Sequence, residues 1–208
     1  MNKQLEKDEQ SRLVLFDFDG TLSNRDSLFD FLRFISSATG FYAKLLRCLP
    51  NLLAFKLGLI SNQKAKEKLL LVFLKGKSRA EIELFGKQYS EQRIPLILRP
   101  GALECVLEYL AQGDKVVIIS ASPELWLYEW CQSIGVELLG TGLEFDDLGY
   151  TGKFLGKNCY GDEKVVRLKG FIAPKSLDDF SRILAYGDSA GDKAMFACAH
   201  ESFYKPFR

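Results

Sequence analysis

The chain has 208 residues, with 28 Lys and Arg against 27 Asp and Glu, and this near balance shows no bias toward nucleic acid. Hydrophobic residues make up 47%, enough for one full core with a modest insertion, and no run of about 18 uncharged apolar residues offers a transmembrane span. Five cysteines (Cys48, Cys105, Cys131, Cys159 and Cys198) form no C-x-x-C pair, so neither a zinc site nor a disulfide framework is indicated and a reducing, cytoplasmic setting is expected.

In chain order, residues 1–10 are charged throughout and lack an apolar core, so a flexible leader is expected there. Leu13-Val14-Leu15-Phe16 then reads as a strand buried on both faces, and it delivers Asp17, Asp19 and Thr21 where it must end. From about residue 25 to 95 the pattern is helical. Leu28, Phe31, Leu32 and Ile35 share one face after an Asp26 or Ser27 N-cap. Pro50 is expected to halt a helix over 41–49, with a separate one over 52–57. Further helices are expected over 63–74 and 78–92, the latter opening with a Ser78-x-x-Glu81 capping box.

From Pro100 helix and strand alternate again. A helix over 101–112 leads to a strand, Lys115–Ile119, ending at Ser120. Ser122-Pro123 is expected to start the next helix, through about Ser133, with Pro123 at its favoured first position. Residues 136–155 read as a β-hairpin turning near Asp146–Gly149, and a helix over 161–171 carries Lys164 in its first turn. A third apolar strand, Ile183–Tyr186, gives way to Gly187-Asp188-Ser189-Ala190-Gly191-Asp192. The single histidine, His200, is expected to be structural.

The ordered set carries more weight than any one member. Three apolar strands end on Asp17 and Asp19, on Ser120, and on Asp188 with Asp192, and Lys164 lies between the last two. Parallel strands ending this way would gather those groups along one edge of an α/β sheet, where open folds hold ligands.

Asp17-Phe18-Asp19-Gly20-Thr21, the strand ending at Ser120, Lys164, and Gly187-Asp188-x-x-x-Asp192 resemble, in order and spacing, the four motifs of the haloacid dehalogenase superfamily. The helical insertion after the first motif is similar to that superfamily's C1 cap, in the branch typified by phosphoserine phosphatase. The resemblance implies an α/β fold with a Rossmann-like parallel sheet core over 11–24 and 96–208 and a helical cap over 25–95. It implies a phosphomonoester substrate and an aspartyl-phosphate intermediate, with Asp17 as nucleophile and Asp19 as general acid/base. Mg²⁺ would be held by Asp17, Asp188 and the backbone carbonyl of Asp19. Lys164 would balance charge, Ser120 and the Ala121 N–H would bind phosphoryl oxygens, Thr21 would brace the first loop beside the phosphate, and Asp192 would orient Lys164 or a metal-bound water.

The substrate is less defined. Phe31 to Lys66 holds no Asp or Glu but six basic residues among many bulky apolar ones. That mixture suits either cap packing or a peripheral contact with an anionic membrane and a lipid phosphate substrate. The segment Asn158–Val165 is similar to the corresponding region of phosphatidylglycerophosphatase C-type proteins. Ala121-Ser122 stands where phosphoserine phosphatases typically carry Gly-Gly after the serine. A small soluble ester (phosphoserine, histidinol phosphate or a sugar phosphate), a phosphomutase and a non-catalytic binding module are the alternatives.

Overall fold

The structure, a computed structural model, describes residues 12–208; the expected leader over 1–10 lies outside the described residues. Among the described residues, six strands form one sheet in the order β4-β3-β2-β1-β5-β6. They are β1 (Leu13–Phe16), β2 (Lys115–Pro123), β3 (Glu137–Asp146), β4 (Gly149–Leu155), β5 (Ile183–Gly187) and β6 (Glu201–Tyr204). All pairings are parallel except the β3–β4 hairpin.

The chain builds outward from β1 on one side through β2 and β3, then returns to lay β5 and β6 on the other. That places the topological switch between β1 and β5, and the register aligns Phe16 with Tyr186 there. Residues just past both strands therefore meet over the same crevice.

Alternation along the buried strands divides the core in two. Leu13, Leu15, Val117, Ile119, Ile183 and Ala185 pack with Leu168, Ile172 and Met195 on one face. Those last three come from helices Asp162–Ile172 and Lys193–Ala197. Val14, Phe16, Val116, Ile118, Leu184 and Tyr186 face the other way, into a cluster that runs on without a break into the helical segment at Phe31, Leu70 and Phe73.

That segment comprises α1 (Ser27–Phe34), α2 (Ala38–Lys56), α3 (Asn62–Leu74), α4 (Arg79–Gln92) and the short α5 (Ile94–Ile97). Its two chain crossings are tied together by a Ser23–Leu98 bridge and by Asn24 N–H to Ile97 O and Arg99 N–H to Leu22 O bonds. The capping box at Ser78 and Glu81 forms with both of its hydrogen bonds. At Gly86 of α4 a Cβ would stand 2.0 Å from the Leu125 carbonyl, so only glycine lets this helix approach the 124–126 turn so closely.

Two expected boundaries are corrected. Pro50 does not end a helix, because α2 runs through it. Phe41, Leu45, Cys48 and Leu52 pin one face of α2 to the core, and their burial outweighs the roughly 3 kcal/mol that an internal proline costs. Ser122-Pro123 does not open a helix either. A proline pushes its predecessor toward extended backbone, so β2 continues through Pro123, a 3-10 turn follows over Glu124–Trp126, and the α-helix begins at Tyr128, running to Ser133. The edge strand β6 had no counterpart among the expected elements, being four residues with alternating exposure after a turn. His200 ties it down, its Nδ1 accepting from the Ile183 N–H at 2.9 Å.

Candidate active site

Asp17 leaves β1 directly above the switch point, its backbone N–H bonded to Tyr186 O at 2.9 Å. Its carboxylate is buried and both oxygens are engaged. Oδ1 accepts from Lys164 Nζ at 2.6 Å and Oδ2 from the Thr21 hydroxyl at 3.1 Å. Lys164, 2% exposed at the start of the Asp162–Ile172 helix, also donates to Asp192 Oδ1 at 2.6 Å. One ammonium thus serves two carboxylates. Burial alone would lower the lysine's pKa, but Asp17 and Asp192 together raise it. Asp17 receives only a share of that charge, and burial, with Asp192 and Asp19 close by, pushes it up to about 7 despite Lys164.

Among the described residues Asp19 has no cation in hydrogen-bond contact. Its Oδ1 accepts from the Ser27 N–H at 2.7 Å and its Oδ2 from the Ser122 hydroxyl at 2.5 Å. Burial first, then the charge of Asp26, raises it to about 6 against those hydrogen bonds. Behind it runs a chain of donors. Trp126 Nε1 donates to Ser27 Oγ at 3.3 Å, and the Ser27 hydroxyl donates to Ser122 Oγ at 2.9 Å. The loop turns just after Asp19 at Gly20, at φ +80°. A Cβ there would lie 2.4 Å from Asp188 Oδ2, so the loop can rest against that carboxylate only without a side chain.

β2 supplies the opposite wall. Its pairing with β3 shifts register between Ile119 and Pro123, so Ser120, Ala121 and Ser122 lie in an irregular stretch beside the site. Ser120 Oγ accepts from the Ser122 N–H at 3.1 Å, and the Ala121 carbonyl accepts from Thr141 Oγ1 at 3.1 Å and from Lys66 Nζ at 2.9 Å.

Asp188, past β5, is half-buried and its Oδ2 accepts from Arg208. Carboxylate oxygens of Asp17, Asp188 and Asp192 lie within 4.8 Å of one another, an all-oxygen donor set that fits a hard divalent cation. Asp192 is the least available of the three. Its Oδ1 holds Lys164, and its Oδ2 accepts from the Asp188 and Ser189 N–H groups and the Ser189 hydroxyl. Asp17 and Asp188 are therefore the side chains through which a cation would be held.

The structure thus brings Asp17, Asp19, Thr21, Ser120, Ala121, Lys164, Asp188 and Asp192 to one strand edge. Side chains in direct contact with them that the sequence reading did not assign to the site include Ser27, Ser122, Thr141, Lys66 and Arg208. Ser120 and Ser122 stand two apart, the spacing that puts strand residues on one side, but that signal is lost once a helix is expected to begin at Ser122.

A family model described as haloacid dehalogenase-like hydrolase matches residues 14–197, and the chain belongs to that family. Protein CicA of Caulobacter vibrioides is 38% identical over 200 residues, covering 94% of this chain and 86% of CicA. The crystal structure of a Bordetella pertussis Tohama I protein of unknown function superposes with a TM-score of 0.82 at 26% identity, over 94% of this chain and 90% of that one. The structure of a phospho-aspartyl intermediate analogue of phosphoserine phosphatase shares the fold, with a TM-score of 0.62 at 20% identity over 94% and 86% of the two chains. The family membership makes this chain a hydrolase with an α/β, Rossmann-like core.

Proposed function

We propose that the chain is a phosphomonoesterase in which Asp17 and Asp19 divide the chemistry. The observation that supports this is the contrast between them: two carboxylates two residues apart, the buried one salt-bridged to a lysine and the half-buried one hydrogen-bonded to the neutral Ser27 N–H and Ser122 hydroxyl. Asp17, in the ionised form that Lys164 favours and burial opposes, attacks phosphorus and forms an aspartyl-phosphate as the ester oxygen departs. Asp19, in the protonated form that burial and Asp26 favour, gives its proton to that oxygen. It then takes a proton from the water that releases phosphate and regenerates Asp17. Ser120 and the Ala121 N–H bind phosphoryl oxygens, Thr21 steadies Asp17 beside the phosphate, and Asp192 positions Lys164. Mg²⁺ held by Asp17, Asp188 and the Asp19 carbonyl would neutralise phosphoryl oxygens and favour the ionised nucleophile. Residues 11–24 and 96–208 act as the catalytic core and residues 25–95 as a cap that selects the substrate.

The substrate reading we favour is a lipid phosphate, such as phosphatidylglycerophosphate, reached from an anionic membrane surface. Tyr42, Leu46, Leu49 and Leu53 follow one another at helical spacing along α2, and Leu57 and Leu59 extend the stripe past its end. Leu46 is 66% exposed, Leu53 57%, Leu57 72% and Leu59 73%. Arg33, Lys44, Arg47, Lys56, Lys64 and Lys66 are the only charged residues between Phe31 and Lys66, so no carboxylate in that stretch opposes anionic headgroups. No helix among the described residues is long and apolar enough to cross a membrane; the contact proposed is peripheral.

The test is Mg²⁺-dependent phosphate release from phosphatidylglycerophosphate in mixed micelles, beside phosphoserine and an aryl phosphate. Asp17→Asn should lower turnover by roughly a thousandfold or more while staying folded. Preference for the lipid, lost in the variant, supports the full reading. Turnover of soluble esters alone removes the lipid but keeps the phosphatase. No release from any ester, or undiminished release by the variant, overturns the mechanism.

A further inference from the structure

Lys66 sits on α3, a helix latched to the core. Gln63 Oε1 accepts from the Asn158 N–H, Asn62 Oδ1 from Asn158 Nδ2, and Glu67 Oε1 from the Phe154 N–H, at 3.2, 2.9 and 3.1 Å. Residues 62, 63, 66 and 67 share one helical face, so the latch that grips the end of the β3–β4 hairpin also aims Lys66 at the site. Its Nζ donates to the Ala121 carbonyl at 2.9 Å, one residue from Ser120 and one from Ser122.

The ammonium is spent differently from that of Lys164. Lys164 has two carboxylates in direct contact. Lys66 has, among the described residues, a neutral carbonyl as its hydrogen-bond partner. The carboxylates it feels across the site are Asp19, Asp26 and Asp17, in that order of strength. Its carbonyl partner adjoins Ser122, whose hydroxyl donates to Asp19 at 2.5 Å, which puts Lys66 on the Asp19 side, where the proposed mechanism puts the departing alcohol. A half-buried lysine whose hydrogen-bond partner is a carbonyl retains two N–H donors, and its partial desolvation, which lowers its pKa, is offset by no salt bridge among the described residues. An anion arriving beside the ester oxygen would supply the missing partner.

We propose that Lys66 is a specificity residue that recognises an anionic group, a carboxylate or a phosphodiester, on the alcohol half of the substrate. This rests on the phosphatase reading above, since it needs an alcohol to leave on the Asp19 side. The substrate class it defines is a phosphomonoester whose leaving group is itself negatively charged. Selectivity follows because an anionic leaving group completes the lysine's coordination and a neutral one leaves it unmet.

The test uses two esters that differ only at that position, 3-phosphoglycerate with a carboxylate and glycerol 3-phosphate with a hydroxymethyl group. Their dissociation constants are measured by calorimetry with Mg²⁺ on the Asp17→Asn protein, with and without Lys66→Met or Lys66→Arg. The expected result is a preference of about tenfold or more for 3-phosphoglycerate, kept by Lys66→Arg and reduced to near unity by Lys66→Met. Equal weakening of both esters, as loss of cap packing or of a phosphoryl contact would give, overturns it. So does an unchanged ratio, or no binding of either ester. Lys66→Gln serves as the charge-free variant should Lys66→Met fail to fold. Hydrolysis by the Asp17 enzyme is read in parallel. Turnover of either ester with no preference in binding removes the role of Lys66 and keeps the phosphatase reading, whereas lack of turnover with the preference intact removes the phosphatase reading and with it the leaving-group role, keeping only an anion contact at Lys66.

Discussion

At the sheet edge and on the outer face of α2, side chains are placed by opposite logics. Over β1, β2 and β5 nearly every polar group is consumed by another: Lys164 by Asp17 and Asp192, Asp19 by Ser122 and Ser27, Asp192 by the Asp188 and Ser189 N–H groups. On α2 the bulky side chains of Leu46, Leu49 and Leu53 face solvent, while Phe41 and Cys48 of the same helix are buried. The first region is saturated internally, so removing one group leaves another stranded in low dielectric. The second has nothing to strand, and its side chains matter only to what lies outside the molecule.

The sharpest way to break that contrast is to delete the shared cation. Lys164→Met leaves Asp17 and Asp192 buried and facing each other without a counter-charge. It should cost about 3–5 kcal/mol of stability, or roughly 10 °C in Tm at neutral pH, measurable by thermal unfolding. The loss should shrink toward pH 5 as the stranded carboxylates take up protons. A change within about 2 °C at every pH would mean that solvent, not Lys164, satisfies these carboxylates.

The same contrast decides what the sequence could disclose. Asp17, Asp19, Ser120 and Asp188 each follow a short apolar run, so strand periodicity alone places them at one edge once the strands are parallel. Lys164 is set by the helix start that precedes β5. Ser122 was hidden because Pro123 suits a helix start in the sequence, whereas in the fold it prolongs a strand. Lys66 was hidden for a different reason. It is one of several lysines in a helical stretch, and which of them points inward depends on bonds to Phe154 and Asn158, about 90 residues away, which no local pattern encodes. Pro50 misled through the opposite error, a local rule overridden by tertiary burial of the flanking residues.

A smaller effect sharpens the saturated side of the comparison. In metal-free buffer containing a chelator, Asp17 and Asp19 hold protons in the folded state up to about pH 7 and about pH 6, whereas the unfolded chain releases them near pH 4. The folded state is then the more protonated one across that window. Stability should therefore fall as pH rises from about 4 to 7, by several degrees in Tm. Asp19→Asn should remove the part of the slope that ends near pH 6, and Mg²⁺ added at pH 7.5 should restore Tm in the parent by favouring the ionised Asp17. A flat profile, or one that rises through this window, would show that hydrogen bonds and Lys164 outweigh burial at both carboxylates.

The smallest effect on the protein itself is expected from the α2 stripe, and there the absence of a stability change is the informative part. Leu46→Ser with Leu53→Ser removes two side chains that are 66% and 57% exposed, so little buried contact is lost and Tm should move by less than about 2 °C. Turnover of a soluble aryl phosphate should be unchanged, since neither residue reaches the strand edge. Sedimentation with anionic liposomes should fall severalfold, because each leucine withdrawn from the acyl boundary forfeits apolar burial while Arg47 and Lys56 still supply attraction to the headgroups. Raising the salt should weaken the parent and the variant alike through that shared electrostatic part. A large drop in Tm would instead mean that the stripe is buried against a second copy in solution, and unchanged liposome binding would place the membrane contact elsewhere on the molecule.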